Sequence, residues 1–267
     1  MSLLILPRAR RRALTRRMLA GAALATAVVA TPAAAQPALL DSLRPAVERA
    51  VVRGDWAALD AAAARLRAAI AGPAATDAWT HYDLGYVLHR RAGGFLDAQQ
   101  GNKAKPVLAE ADKALEKAQA LGAGMQALAL RGAVNGQIAG SGGMIAGMRN
   151  GPRAFGLLDE AVAKAPNDAR VALLNGMTRL NAPKAFGGGP AKAEPELRRA
   201  ITLFANDKPA GAAPAWGRAD AHIWLAITLE QAGRKDEARA ELQKALALAP
   251  GHAWVTGTLL PRLDGRR

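Results

Sequence analysis

The chain contains no cysteine. That excludes disulfides, thiolate metal sites, a cysteine nucleophile and an amino-terminal lipid carried on Cys. In an oxidising compartment its stability would rest on packing alone. Aromatic residues make up 4% of the chain although 51% of it is hydrophobic, so a core must be built from Ala, Leu and Val, which suits close-packed helices. Beyond residue 35 the only serines are Ser42 and Ser141, and neither lies in Gly-x-Ser-x-Gly, so nothing supports a Ser/His/Asp hydrolase. The histidines, His81, His89, His222 and His252, form neither His-x3-His nor His-Glu-x2-His, which leaves no zinc motif. No basic block is interleaved with aromatics, and nucleic acid is not an expected partner. No catalytic set, metal or cofactor is expected.

A long apolar run is also missing. Met18 to Thr31 is apolar, yet shorter than the about 20 residues a bilayer-spanning helix needs. It follows Arg8, Arg10, Arg11, Arg12, Arg16 and Arg17 and precedes Ala33-Ala34-Ala35, the order of a secretory leader with a small-residue cleavage site. Residues 1–35 are therefore expected to be a signal peptide, with the mature chain starting near Gln36 and keeping no membrane span. Thr15-Arg16-Arg17-Met18-Leu19 looks like a twin-arginine export signal, and ordinary secretion is the other route. Either makes the mature protein periplasmic or secreted. Without the six leader arginines, 30 basic residues face 22 acidic ones, a net charge of +8 rather than +14. That balance favours anionic partners or an anionic surface.

What the sequence does have is a recurring helical hairpin. In residues 219–252, Leu225 and Leu229 lie one turn apart, Gly233 breaks the helix, and Ala238, Leu242, Ala245, Leu246 and Ala249 share one face before Pro250. The pattern Ala-x3-Leu-x2-Ala recurs at Ala62/Leu66/Ala69, Ala111/Leu115/Ala118, Ala154/Leu158/Ala161, Ala193/Leu197/Ala200 and Ala238/Leu242/Ala245. Small residues let two helices approach closely, and the leucine fills the seam between them. The pattern predicts ten helices in five hairpins, over 39–53 and 55–71, 77–92 and 105–121, 125–139 and 152–165, 168–180 and 190–205, and the last unit. Residues 253–263 are expected to add a capping helix. Asp55 is placed to cap one helix. Two glycine-containing stretches, 93–104 and 140–151, are expected as inserts between helices. The second carries Met144, Ile145 and Met148 and reads either as a plain connector or as a lid over a groove.

The 34-residue length of 219–252 and its pattern resemble a tetratricopeptide repeat. His222 stands at the repeat's Trp position, Leu225-Ala226 at Leu-Gly and Leu229 at Tyr; His81, Leu84-Gly85 and Leu88 match likewise, and Arg170, Leu173-Leu174 and Met177 keep the spacing only. The segment around Phe186-Gly187-Gly188 resembles a Phe-Gly-Gly turn of exported bacterial tetratricopeptide-like proteins, some of which serve solute transporters. The resemblance implies an all-α, right-handed superhelix occupying residues 36–267.

It also implies that the first helix of each pair lines a concave groove through defined repeat positions. In the second unit these are Trp79, Tyr82, Tyr86, His89 and Arg90; in the fourth they include Asn175 and Arg179. An aromatic wall with two arginines suits a protein or peptide partner, an anionic one included, or a small ligand. The other reading of Tyr82 and Tyr86 is plain core packing. Gly187-Gly188-Gly189 reads as an anion-binding helix start or as a tight turn needing positive φ. The expectation is an exported, non-catalytic scaffold, with a small-ligand carrier or transporter accessory as the alternative.

Overall fold

The computed structural model describes residues 35–209 and 213–266. The leader expected over residues 1–35 thus falls outside the described residues, save its last position. The described residues form no strand. They order as α1 (Ala35–Arg53), α2 (Trp56–Ile70), α3 (Ala78–Asp97), α4 (Gly101–Ala120), α5 (Gly124–Ser141), α6 (Gly143–Lys164), α7 (Ala169–Asn181), α8 (Pro190–Ala205), α9 (Arg218–Gln231), α10 (Lys235–Leu248) and a one-turn α11 (Leu260–Leu263). Consecutive helices pack in pairs, and the first helices of neighbouring pairs touch one another: α3 meets α5, α5 meets α7, and α7 meets α9. This is the tetratricopeptide-like all-α solenoid that the repeat pattern predicts.

The seam inside each pair follows from side-chain size. Leu115, Leu158, Leu197 and Leu242 are at most 1% exposed, which contributes about 2 kcal/mol each. Three of them press against a glycine of the facing helix. A Cβ on Gly85 would lie 2.4 Å from Leu115 Cγ, one on Gly132 2.7 Å from Leu158 Cγ, and one on Gly176 2.7 Å from Leu197 Cγ. These contacts set the registers. The third unit, ambiguous from its sequence, is fixed by Gly132. The fourth shifts by two residues: Gly176, not Leu174, holds the small-residue position, so Arg170 does not stand where His81 does. Asn175 and Arg179 accordingly leave the groove-facing stripe.

The helix starts behave as their sequences suggest. Asp55, Asp77 and Asp168 each cap a helix, accepting hydrogen bonds from Ala58 N (3.0 Å), Thr80 N (2.8 Å) and Arg170 N (2.8 Å). The stops differ. Helix α3 runs through Gly93-Gly94 to Asp97, and α5 and α6 meet at Gly142 with no loop between them. A helical glycine costs only about 1 kcal/mol relative to alanine, and packing outweighs it: the indole of Trp56 occupies the space where Gly94 would carry a Cβ. The stretch 140–151 is therefore helical, not a glycine-rich lid loop. Met144 and Ile145 on the first turn of α6 stand more than 80% exposed, and Met148 is also exposed. The capping helix occupies residues 253–263 as expected, with a π-helical turn over Val255–Leu259 leading into α11.

The two ends of the solenoid meet. A Cβ on Gly54, in the α1–α2 turn, would lie 3.7 Å from Ala253 Cβ, just past the last repeat. Between these ends the connector from α8 to α9 dips inward. Gly217 makes this possible: its φ is +113°, and a Cβ there would strike the Phe204 ring at 2.6 Å. Only glycine suits both constraints. The turn delivers Trp216 into the interior, where it is 6% exposed.

Candidate functional site

Trp216 lands on the residues predicted to line the groove. Its ring stacks on Tyr86 with centroids 4.6 Å apart and planes 19° from parallel. Its indole N–H donates to Tyr82 Oη at 3.2 Å. Trp79 meets the Tyr82 ring edge-on at 5.5 Å. Tyr82 and Tyr86, wholly or almost wholly buried, thus pack against the chain's own tryptophan. Burial raises the phenol pKa of both, so each remains a neutral donor.

Beside the aromatics lies a polar cluster drawn from distant parts of the chain. Tyr86 O–H donates to Glu48 Oε1 at 2.9 Å. Arg90, over the Tyr86 ring at 6.0 Å, donates to Asp220 Oδ1 at 2.8 Å, joining α3 to α9 across 130 residues. Arg44 donates to Asp83 through Nε at 2.7 Å. Burial, followed by the charge of Asp220, pushes Glu48 up to about 7. Burial also raises Asp83 to about 6, against the pull of Arg44. His89, buried and facing Gln137 Oε1 at 2.7 Å, is lowered to about 4 by burial and by Arg90. His252 is buried and shifted down by the same two causes, and its Nδ1 has no hydrogen-bond partner.

The predicted groove residues therefore divide. Trp79, Tyr82, Tyr86 and Arg90 form one cluster, with His89 on the adjoining face towards α5. Asn175 and Arg179 lie apart, facing α6: Arg179 donates to Asn175 Oδ1 at 3.0 Å and to Asp159 Oδ1 at 2.9 Å, over the Phe155 ring. Glu48 and Trp216 escaped the sequence reading. A lone Trp before Gly in a Pro/Gly/Ala connector was the signal for Trp216. Glu48 had a weaker one, an acid next to Val47 on the apolar stripe of α1. His81 and His222 have structural partners, Ala75 O at 3.0 Å and Glu241 Oε2 at 2.6 Å. The glycine run forms a tight turn with φ of +80° at Gly187 and +98° at Gly189.

A cleft of about 420 Å³ opens next to the cluster, between α1, residues 215–217, the start of α9 and the end of α10. Glu48, Trp216, Asp220 and His252 reach it from inside. Arg49, Arg53 and Arg218 stand exposed along its rim. A smaller apolar pocket of about 250 Å³ lies between α4 and the α5–α6 junction, lined by Leu108, Ile138 and Ala146 with Lys105 at its edge. Among the described residues no group of three His, Asp or Glu is arranged to hold a metal ion, and no helix is long and apolar enough to cross a membrane.

Paired helices with a shared inner face define an α-helical repeat protein of tetratricopeptide-like fold. Residues 219–252 match the tetratricopeptide repeat family. Among solved structures the chain is similar to the HusA haemophore from Porphyromonas gingivalis, at 23% identity and a TM-score of 0.56, over 74% of this chain and 93% of that one. No curated protein matches the chain.

Proposed function

We propose that this chain is an exported, non-catalytic helical scaffold that binds a protein or peptide partner. Tetratricopeptide repeats typically serve as such scaffolds, and the leader-like first 35 residues support export. The inner face is packed against the chain's own Trp216, so the partner surface moves to the outside. The observation that carries this reading is the first turn of α6. Met144, Ile145 and Met148 project into solvent beside the apolar pocket that Ala146 of the same turn helps to line. Exposed, contiguous apolar side chains mark interaction sites, and methionines adapt to a partner's shape. Lys105 and Arg149 flank them, which suits a partner segment that is apolar with acidic neighbours.

The test is a photo-reactive amino acid at Met148 in the periplasm of the source cell. A single discrete protein adduct is expected, absent when the same probe replaces Lys113 on the exposed face of α4. Met144→Ser/Ile145→Ser/Met148→Ser should remove partner binding and change the unfolding free energy by under about 1 kcal/mol, since exposed positions contribute little. No adduct, or the same adducts from both positions, would contradict the reading.

A second reading, a periplasmic small-ligand carrier, is favoured by the cleft beside Glu48 and His252. Its volume falls within the range of about 300–1,000 Å³ usual for small-molecule pockets. The likeness in fold to a haemophore agrees with it.

A further inference from the structure

We infer that the cleft between α1 and the start of α9 binds a small carboxylate carrying a short apolar body. This rests on the small-ligand reading of the cleft and gives it a ligand class. Helix α9 begins at Gly217 with no side chain capping it. Its first bond back is Ala221 N to Gly217 O, and the first-turn residues Arg218, Ala219 and Asp220 line the cleft. The opening N–H groups of a helix lack intrahelical acceptors, and the helix dipole adds positive potential there. A carboxylate satisfies both.

The charges around the cleft agree. Arg49 and Arg53 lie one turn apart on α1, exposed and in no ion pair among the described residues. Arg218 spends one N–H on the Asp207 carbonyl, a neutral acceptor, so its charge is not cancelled. The acids of the floor, by contrast, are engaged: Asp220 by Arg90 and Glu48 by the Tyr86 hydroxyl. The buried His252 also lines the cleft, and its Nδ1 is unpartnered. Guanidinium groups are suited to carboxylates because the planar fork matches two oxygens. Val51, Leu248 and Pro250 supply an apolar wall. Leu248 is 51% exposed, a large side chain left in water at the place where an apolar ligand body would cover it. The head group therefore sits against the α9 start and the α1 arginines, and the tail along Leu248.

The experiment is isothermal titration calorimetry of the mature protein with hexanoate, its neutral counterpart hexanamide, and inorganic phosphate. A proton–nitrogen spectrum follows the Ala219 amide. Hexanoate is expected to bind and to shift that amide. Its affinity should fall at least tenfold in Arg49→Gln/Arg53→Gln, whose unfolding midpoint should match the wild type because neither arginine is paired. Hexanamide binding as tightly as hexanoate would overturn the carboxylate assignment and leave the small-ligand reading standing. Phosphate binding as tightly as hexanoate would overturn the apolar body. Absence of binding by all three would overturn the inference and remove its support for a carrier.

Discussion

Replacing Trp216 by alanine is expected to cost about 3–5 kcal/mol of unfolding free energy, the range for emptying an aromatic site in a packed core. Three losses combine. The stack on Tyr86 disappears, the Tyr82 hydroxyl loses the indole N–H, and a void opens between α3 and the start of α9. Tyr82 is fully buried, so no water reaches its oxygen unless the segment around residue 216 moves. Equilibrium denaturation in urea, with helical signal as the probe, measures the loss. A change below 1 kcal/mol would mean that Trp216 does not plug the interior, and the packed inner face would have to be abandoned. Phe at 216 should recover part of the stacking and none of the hydrogen bond, which separates the two contributions.

Glu48→Gln should make the protein more stable at pH 8 and nearly unchanged at pH 4. The sign follows from linkage. A carboxyl whose folded pKa is raised, here from the ordinary 4.5 to about 7, contributes most below its unfolded pKa. That contribution is lost as pH rises through the folded value. Between pH 4.5 and 7 the unfolded chain releases the proton that the folded chain keeps, a difference of about 3 kcal/mol at 1.36 kcal/mol per unit. Glutamine stays neutral and still accepts the Tyr86 O–H. The groups facing Glu48 are Tyr86, Arg90 and Asp83 on α3 and Asp220 on α9, and all are retained in the variant. Asp83 shifts stability in the same direction over its own lower range and His89 in the opposite one. The difference between variant and wild type cancels both. Urea midpoints at pH 5, 6, 7 and 8 provide the check: parallel pH profiles for the two proteins would refute a buried, protonated Glu48.

The helical pairing was legible because it depends on short-range size alternation. The five Ala-x3-Leu-x2-Ala matches from residue 62 to 245 named above lie on the second helix of their pairs, and glycine or alanine opposite the leucine is readable once the spacing is known. The cap at Asp55 was legible as an acid directly before a helix. The glycine stop at residues 93–94 was misleading, because a helical glycine is unfavourable only until a neighbour such as Trp56 uses the missing side chain. The aromatic stripe Trp79, Tyr82 and Tyr86 was found, yet its occupant was not. Trp216 lies 130 residues from Tyr86, and no local pattern reports a contact that long. Asn175 and Arg179 were placed in the groove by a register two residues out, which only the Gly176–Leu197 contact corrects.

The solenoid closes upon itself, so that its inner face is filled by its own chain. The cysteine-free sequence allows a direct test, a disulfide between Gly54→Cys and Ala253→Cys. The Cβ separation at these positions is 3.7 Å, inside the about 3.5–4.5 Å that a disulfide requires. The φ of +66° at position 54 adds a strain of about 1–2 kcal/mol. Mild oxidation of the folded monomer is predicted to give one intramolecular bond between the two ends, with free thiols lost and no dimer formed. Thiols that stay free, or that pair only between molecules, would contradict the closed architecture.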